Sequence, residues 1–522
     1  MAGGLLNLIS TGNQNLILNG NPSKTFFKVK YAKYTNFGLQ KFRIDYDGLK
    51  TLRLNEDSHF RFKIPRYADI LMDTYVVVNL PIIWSPIYSD KKNNKQVPYE
   101  FRWIENLGSE MIREISITCG GQKIQSYPGS YIRHIIDRDD IQESLFNNMT
   151  GNVNELNSPE MLHSGNYPST MYTPSETGSQ PSILGRRLII PIGSWFTLNS
   201  KLAFPLVALQ YNELHINITF RPISELFTIK DVADSNNNYP IVSPNFNNDY
   251  MQLYRFLQSP PSDDLDSDDF LEKRNNWNAD IHLISTYGFL SDEESKLFAS
   301  QEQKYLFKEV QTYKFLNITG NKRVELDSKG LVSSWIFYFQ RNDVSLRNQW
   351  SNYSNLPYKN TKNQLTKLED NIYVTGDYDV SNNKEILQEF GFLLDGNYRE
   401  TNFPSDVYRY IEPYYKSGGQ ADTSNYVYYY NFCLKTDVTE IQPSGAMNLN
   451  KFKKIELEFS TATPPLDENA EVLTICDDEG NPIGVNKESW SIYNYNYDFT
   501  LLEERYNVLS FIGGNCGLLY SH

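Results

Sequence analysis

The amino-acid sequence predicts an all-β protein of two sandwiches or jelly rolls in tandem, and three observations carry that expectation. Tyr 37 and Phe 29 bring the aromatic share of the 522 residues to 14%, and aromatic rings suit pleated, half-buried sheet surfaces. Short runs with strict two-residue alternation recur along the chain, each bounded by Asn, Ser, Thr, Gly or Pro. The rhythm also repeats: both halves contain strands, a helical excursion, a long polar loop and then a strongly alternating strand, about 240 residues apart. Many short strands with long polar connections fit a sandwich or jelly roll, and the length asks for more than one core.

Taken in order, residues 1–25 are polar and rich in Gly and Asn, ending in the turn-like Gly20-Asn21-Pro22-Ser23, and read as an arm outside the first core. Strand-like text begins at Thr25. In the run from Phe60, Phe62 and Ile64 alternate with Arg61 and Lys63, which marks a strand with one wet face. Ile115, Ile117 and Cys119 share a face of a hairpin whose turn is Gly120-Gly121. Trp103, Leu107 and Met111 predict one short helix, and Ile132, Ile135, Ile136 and Asp139 a second. Asn147 to Ser182 reads as a long exposed loop. Ile216, Ile218 and Phe220 alternate again.

From Ile223 to Ala279 periodicity is lost and an acidic block appears, so this stretch reads as a linker with an insertion. The second half restarts at Ile281. Ser291 with Glu294 predicts a capping box for a helix over the following residues. Strands follow in SSWIFYFQ, YVYYYNFCLK and KIELEFST, the last alternating Ile455, Leu457 and Phe459 against Lys454, Glu456 and Glu458. The expected division is an arm at 1–25, a first roll at 26–224, a linker at 225–279 and a second roll at 280–522.

Chemistry is hard to find in this text. The net charge of −14 argues against nucleic acid as a direct partner. The denser positives Lys24, Lys28, Lys30, Lys33, Lys41 and Arg43 read as solvated strand faces. Cys119, Cys433, Cys476 and Cys516 have no C-x-x-C spacing, so reduced thiols are expected rather than a zinc or disulfide framework. The six histidines, His59, His134, His163, His215, His282 and His522, lack ligand spacing. Asp477-Asp478-Glu479-Gly480-Asn481 departs from calcium-loop spacing and reads as a hairpin tip. The sequons at Asn148, Asn217, Asn317 and Asn352 read as chance matches. The sequence singles out no catalytic, cofactor-binding or metal-ligating residue, and neither an enzyme nor a cofactor is expected. The start lacks secretory-signal features, and the apolar stretch Tyr75 to Trp84 is too short to span a bilayer.

Several segments in order resemble the major capsid proteins of nucleocytoplasmic large DNA viruses, nearest to mimivirus relatives. Gly20 to Phe37 (GNPSKTFFKVKYAKYTNF) is similar to that family's opening signature. Ile104 to Ile124 resembles its helix-then-hairpin segment. Leu206 to Tyr211 with Glu213 resembles its P-L-x-A-L-Q-Y-x-E stretch, and Gln442-Pro443-Ser444-Gly445 with Asn448 its Q-P-S-G-x-x-N motif. Tyr506 to Leu509 and Gly517 to Ser521 resemble its C-terminus. The chain departs from the pattern in its IGGNCG terminus and in the expanded 223–279 and 460–490 segments.

The resemblance implies a double jelly roll of two eight-stranded rolls with short helices and long loops. It implies a homotrimer forming a pseudo-hexagonal capsomer that tiles an icosahedral virion shell. The partners it implies are neighbouring capsomers and minor capsid and penton proteins. An inner membrane would lie beneath, with no transmembrane segment and no direct nucleic acid, and assembly would occur in a cytoplasmic virus factory. The arm from Asn21 to Phe37 is then either an inward-facing contact for minor capsid proteins or a plain first strand. The Asn147–Ser182 loop and the acidic linker form an outer tower or trimer seam, or stay solvated. The competing expectation from composition is a carbohydrate-binding or carbohydrate-active jelly roll, since exposed aromatics stack on sugars and carboxylates are plentiful.

Overall fold

The computed structural model describes residues 3–90, 93–139, 142–172, 179–236, 239–265, 269–355, 373–374, 385–417, 426–437, 441–464, 473–476, 482–486, 491–492 and 495–520. Two compact units make up the chain, Met1–Phe37 and Gly38–His522. The first contains the helix Gly3–Ile9, a 3-10 turn at Asn13–Asn15 and the helical turn Leu16–Asn19, followed by irregular backbone to Phe37. Strand-like text at Thr25 therefore does not become a strand, and Lys24, Lys28, Lys30 and Lys33 lie on no strand face. Alternation marks a strand only where a partner edge pairs with it.

The second unit opens with roll 1. Its strands are β1 (Gly38–Asp45), β2 (Ser58–Lys63), β3 (Ile70–Asn79), β4 (Ile112–Cys119), β5 (Gln122–Tyr127), β6 (Arg187–Pro191), β7 (Leu214–Phe220) and β8 (His282–Phe289). One sheet runs β1-β8-β3-β6 and the other β2-β7-β4-β5, all antiparallel. Roll 2 repeats the order with β9 (Gln303–Ile318), β10 (Asn321–Glu325), β11 (Leu331–Arg341), β12 (Leu387–Leu394), β13 (Asn397–Pro404), β14 (Val427–Asn431), β15 (Ile455–Thr461) and β16 (Tyr497–Ile512). Its sheets are β9-β16-β11-β14 and β10-β15-β12-β13. These are two jelly rolls of the same connectivity.

Local chemistry explains many of these strands. β2 buries Ser58, Phe60 and Phe62 and exposes His59, Arg61 and Lys63, and β7 alternates likewise. The β4–β5 turn takes Gly120 and Gly121 into left-handed backbone, φ 57° and 84°, where a Cβ would be strained. Asp395-Gly396 does the same between β12 and β13.

The expected boundaries shift. His282–Phe289, placed by the text in the second roll, closes the first roll's sheet between β1 and β3. The sheets therefore part after Phe289, not at 280. The stretch read as linker, 225–279, is the excursion between the seventh and eighth strands of roll 1. It packs rather than dangles: Phe227, Ile229, Met251, Leu253, Phe256 and Ala279 are in the core. Its backbone uses short strands and 3-10 turns, which show no sustained period for a sequence reader to detect.

Smaller expectations shift too. The helix foreseen around Trp103–Met111 is a single turn, Leu107–Glu110, because Arg102–Trp103 pairs with Phe227–Thr228 as strand. The polar loop from Asn147 contains the end of helix Glu143–Thr150 and the turn Asn154–Asn157, pinned by buried Phe146 and Leu156. The helix after Ser291 forms at Asp292–Ser300, but the Ser291 side chain makes no cap bond. Ser295 instead donates to Asp69, which also accepts from the backbone N–H of Leu290.

Candidate assembly interface

The helix predicted around Ile132 is α1 (Gly129–Asp139), directly after β5. Gly129 opens it where a Cβ would lie 2.1 Å from the Ser109 carbonyl oxygen, so only glycine lets the helix sit this close to that turn. Every residue from Gly129 to Arg138 is buried. Part of the reason is roll 2, whose sheet β9-β16-β11-β14 presents its outer face to the helix.

That contact is a charged seam. Arg138 and Glu504 are both 0% exposed and form a two-pronged pair, Nη1 to Oε2 at 3.0 Å and Nη2 to Oε1 at 3.1 Å. Tyr131 donates to Glu504 at 2.7 Å and Ser334 on β11 donates at 2.6 Å. Lys308 Nζ lies 3.7 Å from the same carboxylate. Asp139 accepts from Arg138 and from Thr436. A buried charge is tolerable only when its lone pairs and protons are met in this way. Burial would raise the Glu504 carboxyl, but the charges of Arg138 and Lys308 outweigh it and bring it to about 2. Its neighbour Glu503 is pushed up by burial despite hydrogen bonds from Ser328 and Trp335.

His134 sits one turn up α1 between Tyr338 and Tyr353, whose ring centroids are 5.2 and 5.4 Å away. Burial, aided by the Arg133 charge, lowers its imidazolium to about 3, so it is a neutral wedge. Further along the seam Trp195 packs on Tyr305 and Phe307, Phe204 on Phe511, and Arg221 on Trp350 at 3.9 Å. Asn348 caps the Ser224 and Phe227 carbonyls at 2.7 and 2.9 Å. Free Cys119 and Cys516 meet where roll 1 touches the hairpin following β16. A cleft of about 610 Å³ opens beside β5 and β9, lined by Arg113, Lys123, Lys314, Glu114 and Glu309 among others.

The seam escaped the sequence reading. Its available signal was Glu503-Glu504 following directly on the apolar Leu501-Leu502 within one strand, where a charge must find a buried partner. The segment Asn21 to Phe37, by contrast, presents its aromatics outward within its own unit, with Phe26, Phe27, Tyr31 and Tyr34 all exposed. Among the described residues no group of His, Cys, Asp and Glu is arranged to hold a metal, and the candidate loop Asp477–Asn481 lies outside them, as does His522. The aromatic load that suggested sugar stacking is largely spent in the cores: Trp103, Trp335, Tyr99, Tyr127 and Tyr428 are among the most buried side chains. No helix among the described residues is long and apolar enough to cross a membrane.

Two jelly rolls of one connectivity, joined along a buried seam, define a double jelly-roll protein. A model of the major capsid protein N-terminus matches residues 25–255, and a model of the large eukaryotic DNA virus major capsid protein matches 294–517. Capsid protein 1 of Acanthamoeba polyphaga mimivirus is 28% identical over 60% of this chain and 44% of its own length. The major capsid protein of Chrysochromulina ericina virus is 29% identical over 45% of this chain and 44% of its own. The chain thus spans less than half the length of these two relatives. The major capsid protein of Paramecium bursaria Chlorella virus 1 is 22% identical over 100% of both chains. In fold, the chain resembles the PBCV-1 virus capsid at TM-score 0.61 and 18% identity, covering 95% of this chain and 100% of that one. The Faustovirus major capsid protein aligns at TM-score 0.59 and 11% identity, covering 94% and 93%. The chain belongs to the major capsid protein family of large eukaryotic DNA viruses.

Proposed function

We propose that this chain is a structural building block of a virion shell, working as a homotrimer that forms a pseudo-hexagonal capsomer and tiles an icosahedral capsid. The observation that carries the reading is the fusion of two rolls of identical connectivity along a buried seam, Arg138–Glu504 at its centre. Three such chains in a ring place six similar rolls around one axis, which suits hexagonal packing. The role is architectural rather than enzymatic. Neighbouring capsomers, minor capsid and penton proteins are its partners, no nucleic acid is contacted directly, and assembly takes place in the host cytoplasm above an inner membrane. The exposed aromatics of Asn21–Phe37 support a contact role for that segment.

Light scattering tests the trimer: the chain of 60.6 kDa should run at three times that mass, with hexagonal particles in negative stain. A stable monomer without such particles overturns the reading. Deletion of Met1 to Ser23 should leave trimers intact and block shell assembly; normal shells from the deleted chain would remove the arm from the proposal.

A further inference from the structure

Away from the charged seam the two rolls meet again at β17 (Asn515–Leu518), which folds back antiparallel on β16. The turn between them, Gly513-Gly514, takes left-handed backbone, φ 57° and 82°. The Gly514 carbonyl accepts from the backbone N–H groups of Gln210 and Tyr211 in roll 1, at 2.9 and 3.1 Å. A Cβ on Gly514 would lie 2.8 Å from the Gln210 side chain, so this close approach needs glycine. The stretch is IGGNCG, where the sequence departs from the family's pattern, and it carries Cys516.

Roll 1 meets it with Cys119, the last residue of β4, which pairs with Gln122 across the β4–β5 hairpin and with Leu214 on β7. Cys119 is 1% exposed and Cys516 8%, and both thiols are free. Roll 1 side chains bracket the pair. Asn212 donates to the Cys516 carbonyl at 3.4 Å, and its amide lies 2.6 Å from where a Cβ on Gly120 would stand. Beyond the pair, a Cβ on Gly517 would lie 3.7 Å from Gln122 Oε1. The two thiols face each other within hydrogen-bonding reach. Arg66, which donates to the Asn212 carbonyl at 2.8 Å, adds a positive charge. The Cys516 thiol and then the Arg66 charge lower the Cys119 thiol against the effect of burial, which favours thiolate chemistry there. Cys433 faces Lys308, Glu504 and Arg138 instead of a second thiol, and burial raises it.

We propose that Cys119 and Cys516 are an oxidisable pair that hydrogen peroxide closes into a disulfide clasp between the two rolls. Each thiol gives up one hydrogen and one electron, and the S–S bond forms. The O–O bond of the peroxide breaks, and its two oxygens leave with those hydrogens as two molecules of water. The cytoplasm keeps thiols reduced, so the clasp is open where the chain folds and closes on exposure to oxidant. Because the bond joins residues far apart in the chain, it removes much of the freedom of the unfolded state.

The experiment frees the purified full chain from reductant, adds hydrogen peroxide, alkylates the remaining thiols and maps tryptic peptides by mass spectrometry without reduction. The expected product links the peptide Glu114–Lys123 to Tyr506–His522, two hydrogens lighter than the pair, while Cys433 is found alkylated. The midpoint of thermal unfolding should rise by ~5 °C on oxidation and return with dithiothreitol. Cys516→Ser should show neither the linked peptide nor the rise. Alkylated Cys119 and Cys516 in the oxidised, folded chain overturn the proposal, as does either one bonded to another cysteine or another chain. A linked peptide without a rise in the midpoint, or an equal rise in Cys516→Ser, overturns the clasp. The peptide map of the wild-type chain needs neither the variant nor a shell, so its result is separate from the particle test above.

Discussion

The helices that follow the fifth strand in the two rolls occupy the same place in the topology and meet opposite environments. In roll 1, α1 carries Arg133, His134, Asp137 and Arg138 into full burial. In roll 2, the segment Val407–Lys416 keeps Tyr414 and Tyr415 in solvent. Intrinsic chemistry predicts the reverse, since charge belongs in water and rings in the core. The difference teaches that the partner surface, not the side chain's own preference, decides burial here. Arg138 is buried because Glu504 on β16 waits for it, whereas Tyr414 has no sheet over it among the described residues.

Breaking the comparison at its strongest point gives the largest effect. Arg138→Met leaves Glu504 buried with only Lys308 and neutral donors around it, so urea unfolding should show a loss of ~3–5 kcal/mol. Adding Glu504→Leu should recover much of that loss, because two apolar side chains leave no uncompensated charge. If the double variant is as unstable as the single one, the charge pairing is not what holds the seam. Next comes Ile135→Ala, which removes a core side chain from α1 and should cost ~2–4 kcal/mol.

Acid should weaken the seam in a definite window. His134 has a folded pKa lowered from the usual 6.5 to about 3, so its neutral form favours the folded state. The stability linked to it is complete above pH 6.5 and falls as the pH drops towards 3. Glu504, lowered from 4.5 to about 2, adds a second loss between those values. Glu503 is raised and works in the opposite sense, gaining on protonation. The unfolding free energy should therefore begin to fall below pH 6.5, by at most ~1.4 kcal/mol per pH unit from His134. In His134→Gln the decline below pH 6.5 should be shallower, leaving the contributions of His215 and His282, whose imidazolium forms burial also disfavours; an unchanged pH profile would clear His134 of any part in it. The smallest effect sharpens the contrast from the other side. Ile411→Ala in the separated monomer should change stability by less than ~0.5 kcal/mol, against the several expected for Ile135→Ala.

Legibility followed the same division. β2, β7 and β15 were readable because apolar and polar residues alternate along each, so Phe60, Ile216 and Ile455 stand out at a period of two. The β4–β5 turn was readable from Gly120-Gly121, and α1 from Ile132, Ile135 and Ile136. β8 was harder to place: HLISTYGF identifies itself as a strand but not as the partner of β1 and β3, far upstream. The excursion at 225–279 was misread because its anchors, such as Phe227 and Phe256, hold irregular backbone that leaves no period. The FKVKY stretch after Phe26 alternates well and still forms no strand, since no edge among the described residues pairs with it.

By itself, then, the sequence determined the class of structure, two β-rich halves of similar rhythm without a ligand-binding signature, and its ordered motifs pointed to the capsid family. Those properties reside in local pattern, in the spacing of apolar residues and the placement of glycine. Only the tertiary structure decided where the rolls part, that Arg138 and Glu504 meet across 366 residues, and which of two equivalent helices keeps its aromatic rings exposed. The physical reason is that a period reports which face of an element seeks burial, whereas pairing across the chain depends on what the rest of the fold places opposite it.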